Sequence, residues 1–144
     1  MLRSIQKQFS TKSIREYSTR WLEHHLDELT WKIVLFNEKV CFIIGCGVTK
    51  DLQNGHLLER RHRHTRWDIH AEGNCHAQCP LHNQLHEPRP QIYRTDFVLK
   101  FGQPALDELE RRARSMAKIT PIEMEAKFHE YQAIWNRLRG KVTQ

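Results

Sequence analysis

Two short pairs of metal-binding side chains, Cys41-x4-Cys46 and Cys79-x2-His82, constrain this chain more than any other feature. Zinc takes four thiolate or imidazole ligands in a closed tetrahedron, and two-ligand turns from separate places in a chain supply them. The segment Gly55–Asn83 holds six of the ten histidines, together with Arg60, Arg61, Arg63 and Arg66, and only brief apolar runs. Such a segment cannot hold itself together by burial. With an apolar share of 39% across 144 residues, the core is small and a staple is expected. Structural zinc (Zn2+) on Cys41, Cys46, Cys79 and His82 supplies one. Cys41 lies in an apolar run and also reads as an ordinary buried thiol, and Cys75 as a packed one.

The length suits one domain, with room for a helical appendage. A formal charge of +6 and a pI near 9.4 favour a polyanionic partner. The longest apolar run, "VCFIIGCGV", is far too short to span a membrane. The opening "MLRSIQKQFSTKS" is basic and at most amphipathic, without the apolar core of a secretory signal; a mitochondrial presequence is the other reading of it. A cytoplasmic location is expected, in the host cell if the chain is phage-encoded. In that reducing compartment four cysteines read as ligands or buried thiols rather than two disulfides.

Along the chain, Ser13–Leu29 reads as an amphipathic helix with Ile14, Tyr17, Leu22, Leu26 and Leu29 on one stripe. "TWKIVLF" and "KVCFII" follow as strand candidates, rich in β-branched and aromatic residues. From Pro88 onward the pattern is helical. "QPALDELERRARSMAKI" has Pro104 near a helix start and Leu106, Leu109, Ala113 and Met116 on one face. Thr120, Pro121 and Glu123 form a capping-box pattern that opens a last helix, which Gly140 ends. Its stripe of Met124, Phe128, Tyr131, Trp135 and Leu138 reads as core packing or the seam of a homodimer. Three segments result: an N-terminal helical part over 1–38, a zinc-stapled core over 39–102 and C-terminal helices over 103–144.

The order of residues in "LQNGHLLERRHRHTRWD", then "NCHAQCPLHN", then "YR" and "KFG" resembles the phage NinG/Rap recombination-endonuclease family, a branch of the HNH or ββα-metal nucleases. The likeness covers roughly Cys41 to Leu109. It implies an α+β fold, a small zinc-stapled ββα-metal core flanked by N- and C-terminal helices. It also implies a structure-specific endonuclease that cleaves Holliday junctions and other branched DNA. In such a core the base histidine stands at the end of the first strand, and a zinc knuckle leads into the helix that supplies a metal ligand. His56 falls at the base position. Asn74, five residues before Cys79, falls where an asparagine tethers the loop. Asn83, directly after His82, falls where a catalytic divalent cation is held.

The residue chemistry is compatible with that implication. Cutting a phosphodiester needs an activated water, charge neutralisation at phosphate and a stabilised leaving oxygen; one imidazole and one Mg2+ or Mn2+ ion can provide them. Each residue also has a plainer reading. His56 could cap a turn, Asn74 form one, and Asn83 open a helix. His62, His64 and His70 read as solvent-exposed or phosphate-facing. The four arginines read as a solvated face or a phosphate clamp. The chain departs from the HNH pattern in three places: Gly55 replaces the acidic cation ligand before the base, the knuckle is C-x4-C with C-x2-H, and "IHAEG" lengthens the loop before Asn74. Asp68 and His76 are the candidates to share the cation with Asn83. The competing expectation is a non-catalytic zinc-containing module that binds DNA or serves as a protein adaptor.

Overall fold

Ser18 sets the start of the first helix in the computed structural model, which describes residues 17–143: its side chain accepts a hydrogen bond from the Trp21 N–H at 3.1 Å. This helix, α1 (Thr19–Asn37), runs about two turns beyond Leu29. The expected strand Thr30–Phe36 is its continuation, because Leu22, Leu26, Leu29 and Ile33 keep one helical stripe that is buried throughout. Burial of that stripe outweighs the modest strand preference of its β-branched residues. Positions 13–16, including Ile14, lie outside the described residues.

The chain next makes turns rather than the second expected strand. Across Lys39–Ile44 the only ladder-like contact to the sheet is the Phe42 N–H, which donates to the Ala77 carbonyl at 2.7 Å. The observed strands are four residues each: β1 (Gln53–His56) and β2 (Cys75–Gln78) pair antiparallel, Gln53 opposite Gln78 and His56 opposite Cys75. A single helical turn, α2 (Arg63–Arg66), lies in the loop joining them. Cys79 then caps α3 (Pro80–Leu85), so a hairpin passes directly into a short helix. Two more helices follow, α4 (Gln91–Phe101) and α5 (Gln103–Ala113), separated at Gly102, whose φ of 90° favours glycine. The last, α6 (Pro121–Gly140), has a complete capping box between Thr120 and Glu123 and is followed by a 3-10 turn over Lys141–Thr143.

Two cores result. One gathers Cys41, Phe42, Leu57, Cys79, Tyr93, Phe97, Leu106 and Leu109 around the hairpin, α3, α4 and α5. The other gathers the α1 stripe with Trp67, Met124 and Tyr131 between α1 and α6. The first and last α-helices among the described residues thus share one core, and α5 joins the other. Of the two readings of the α6 stripe, core packing is the one seen within the chain: Phe128, Trp135 and Leu138 pack against the α1 side. Met116, expected on the inner face of α5, stands in solvent because that helix ends at Ala113.

Trp67, on the loop between β1 and β2, ties that loop to the α1–α6 core. Its indole N–H donates to Asp27 on α1 at 2.8 Å, and its carbonyl accepts from the Tyr131 hydroxyl on α6. Among the described residues, no helix is long and apolar enough to cross a membrane.

Candidate metal centre and the histidine-rich groove

Cys41 and Cys46 sit on a tight loop closed by the Cys41 N–H, which donates to the Val48 carbonyl at 2.8 Å. Gly45 and Gly47 take φ values of 79° and 74° there, a conformation that side chains disfavour, and this turns both thiols the same way. Cys79 and His82 come from the first turn of α3, where a spacing of three puts them on one face. All four ligand atoms lie within 4.8 Å of one another. Cys41 Sγ is 3.6 Å from His82 Nδ1, Cys79 Sγ is 3.3 Å from the same nitrogen, and Cys46 Sγ is 3.9 Å from Cys79 Sγ. Bond lengths to tetrahedral zinc would separate such atoms by about 3.5–3.8 Å. The cluster can hold a metal such as zinc.

Its thiols are unequal. Burial pushes Cys41 up to about 11. Burial acts the same way on Cys79, but the N–H groups of His82 and Leu81 and the neighbouring thiols outweigh it and hold Cys79 below its ordinary value. Cys75 takes no part. It is buried on β2, its thiol donates to the Arg66 carbonyl at 3.3 Å, and burial pushes it far up.

His56 ends β1 on the same sheet face as Cys75, and the two converge on one acceptor: His56 Nε2–H donates to the Arg66 carbonyl at 2.9 Å. A carbonyl only accepts, so this bond fixes the tautomer and leaves Nδ1 as the basic nitrogen. Burial pushes His56 down to about 4; the nearby charges of Arg60 and Arg66 lower it further, while the Arg66 carbonyl and Asp27 act against them. The imidazole is therefore neutral at pH 7.

Asn74 is buried and tethers the loop after His56. Its Oδ1 accepts from the Leu58 N–H at 2.6 Å and its Nδ2 donates to the Leu58 carbonyl at 3.1 Å. Asn83, on α3, donates from Nδ2 to Gln53 Oε1 at 2.8 Å. Gln53 and His56 are three apart on β1, so strand alternation assigns them to opposite faces.

Asp68 and His76, expected to share a cation with Asn83, are engaged elsewhere. Asp68 is buried and pairs with Arg112 of α5 at 2.7 Å. His76 is buried in a ring stack with Phe42 and Phe101; its Nδ1 faces Glu38 at 3.1 Å and its Nε2–H donates to the Gly73 carbonyl at 2.9 Å. The three residues do not converge, because each already has a partner from a different element. The glycine at position 55 has a local cause: the Gln78 carboxamide fills the space that any Cβ there would need.

The arginine group divides the same way. Arg66 holds Asp27 through two bonds of 2.9 and 2.7 Å, Arg60 reaches the same carboxylate at 2.5 Å, and Arg63 pairs with Glu23. Arg66 is an anchor for α1 rather than part of a phosphate clamp. Arg61 pairs only with Glu59, and both are well exposed.

Leu57 and Leu58, just past His56, line a cavity of about 630 Å³ together with His62, Asn83 and His86. Sequence reasoning missed His86, whose Nε2–H donates to the Leu57 carbonyl at 2.8 Å while its buried Nδ1 has no partner among the described residues. Its position one helical turn after Asn83 was the available signal. It also missed Asp27 as the hub of the Arg60, Arg66 and Trp67 contacts; nothing local to α1 marks that role.

No curated protein and no solved structure matches the chain. Residues 6–140 do match a family described as bacteriophage lambda NinG protein, an extent that takes in all of α1 and α6 as well as the central stretch. A match over nearly the whole chain, on a sequence whose Cys/His cluster assembles in space, places this protein in the NinG family.

Proposed function

We propose that this chain is an HNH-type DNA endonuclease, stapled by structural zinc, that cuts Holliday junctions or other branched recombination intermediates with His56 as its general base. The observation that carries the reading is the His56 ring: Nε2 is fixed on the Arg66 carbonyl, which leaves Nδ1 as the basic nitrogen, and the residues that follow it, Leu57 and Leu58, line a cavity. Membership of a phage family tied to recombination supports the substrate class. The net positive charge supports a polyanion.

In this mechanism Nδ1 of His56 takes a proton from water as the water oxygen bonds to phosphorus. The bond from phosphorus to the 3′ oxygen breaks, and that oxygen takes a proton from solvent. The Nε2–H bond to Arg66 keeps the ring from turning and bears the charge it gains. A family cation, Mg2+ or Mn2+, would supply charge at the phosphate and the departing oxygen. Of its expected ligands only Asn83 reaches the groove, so no step is assigned to it.

That dispersal favours one other reading, a non-catalytic zinc module that binds DNA or another protein. A nicking assay on a four-way junction separates the two, run with Mg2+, with Mn2+ and with no added divalent ion. Cutting is expected with an added ion, and His56→Ala should keep junction affinity while losing about two orders of magnitude in rate. Because His56 titrates near 4 rather than 6.5, the single-turnover rate should hold from about pH 7 down to about pH 5 and fall below that. Wild-type protein that binds junctions and never cuts them would leave the non-catalytic reading standing.

A further inference from the structure

The segment joining α5 to α6 carries the most exposed large apolar side chain among the described residues, Met116 at 95%. A methionine in water forgoes the burial that its flexible thioether would gain against almost any apolar surface. The segment is not a loose end. The Ser115 N–H donates to the Arg112 carbonyl at 3.2 Å, His64 Nε2–H donates to the Ala117 carbonyl, and Thr120 caps α6. Bonds before, beside and after Met116 thus hold it outward.

Met116 borders a cleft of about 400 Å³ with Arg61 and Arg63 on one wall and Lys118 on the other; its lining holds no acidic side chain. Arg61 and Arg63 pair with Glu59 and Glu23 at the surface, where a phosphate can displace a carboxylate at little cost. His62 lines both this cleft and the cavity of Leu57, Leu58 and Asn83, whose lining also includes Glu59 and Glu87. The helical turn that ends at Arg66, whose carbonyl orients His56, begins in the wall of the cleft.

Cations from two segments suit a sugar-phosphate backbone, and the exposed apolar side chain that borders the same cleft suits the face of a base. In a continuous duplex the base faces are stacked and closed to it. At a branch the stacking is interrupted. An acidic peptide would satisfy the cations but gives no use to the exposed thioether, or to the turn that runs from Arg63 in this cleft to the Arg66 carbonyl that orients His56.

We infer that Met116 reads the branch, inserting against unstacked bases at a junction centre while Arg61, Arg63 and Lys118 hold the flanking phosphates. The inference rests on the branched-DNA reading above and adds the residue that sets its selectivity. The test uses zinc-loaded protein in Ca2+ buffer, with four-way junctions carrying 2-aminopurine at the branch or in mid-arm and a matched linear duplex. Wild-type protein should raise fluorescence at the branch alone. Met116→Ser should lose that rise and about ten-fold of the preference for junction over duplex, with duplex affinity unchanged. Met116→Leu should retain both, and Lys118→Ala should weaken junction and duplex alike. An unchanged rise and preference in Met116→Ser would overturn the inference, as would tighter binding of poly-glutamate than of junction DNA. In Mg2+, a Met116→Ser protein that cuts junctions with wild-type selectivity removes the wedge and leaves the nuclease. A wild-type protein that opens the branch without cutting it removes the nuclease and leaves the wedge.

Discussion

Around Cys79 the chain packs strands of four residues and a helix of six, whereas around Leu26 it packs helices of 19 and 20 residues. Elements as short as the first group have little stability of their own, and their core gathers four possible metal ligands at one point. The second group buries long apolar stripes against each other, with Leu22, Leu26, Leu29 and Ile33 meeting Met124 and Tyr131. The difference teaches where each half is vulnerable: one at its Cys/His cluster, the other at its apolar contacts.

The sharpest way to break the comparison is to remove the metal. Purified protein is expected to carry about one zinc per chain. Strong chelation, or Cys79→Ser, should bring amide exchange in β1, β2 and α3 to the rate of an unfolded chain while α1 and α6 keep protection. Loss of protection everywhere at once would show that the halves fold as one unit, and no loss anywhere would exclude a structural metal.

A smaller effect is expected where the halves meet. Asp27→Ala removes the acceptor of Arg66, Arg60 and the Trp67 indole and should cost about 2 kcal/mol in urea unfolding at pH 7. Burial alone would raise Asp27, but the bonds from Arg66 and Trp67 and the charges of Arg66 and Arg60 leave it below its ordinary 3.8. Its contribution is therefore complete above pH 3.8 and is lost as pH falls through the lower folded value. The gap between wild type and Asp27→Ala should shrink in that range; a gap that stays constant would mean that the charge is not what joins the halves.

The smallest effect belongs to the helical half alone. Thr120→Ala removes the side-chain acceptor for the Glu123 N–H and should cost about 1 kcal/mol without changing metal content. A variant that also loses zinc would show the two halves to be coupled through α6.

How much was legible in the sequence follows the same division. The Cys/His cluster could be read because ligand chemistry is carried by residue identity, and Cys79 and His82 sit at a helical spacing. The capping box at Thr120 and the start near Pro104 could be read for the same local reason. The hairpin could not, since Gln-Asn-Gly-His has no alternating apolar pattern and forms a strand only because Cys75–Gln78 pairs with it. Thr30–Phe36 misled in the opposite direction: its strand-like composition gave way to a stripe that α6 buries.

By itself, then, the sequence determined the members of the Cys/His cluster, the helix starts and the residues rich enough in chemistry to form a site. Only the tertiary structure decided which of those residues have their hands free. Asp68 went to Arg112, His76 to Glu38 and Arg66 to Asp27, partners 44, 38 and 39 residues away. A side chain's type and spacing express its local preferences, whereas its partner across the fold is settled by which burial and which charge pairs the whole chain can satisfy at once.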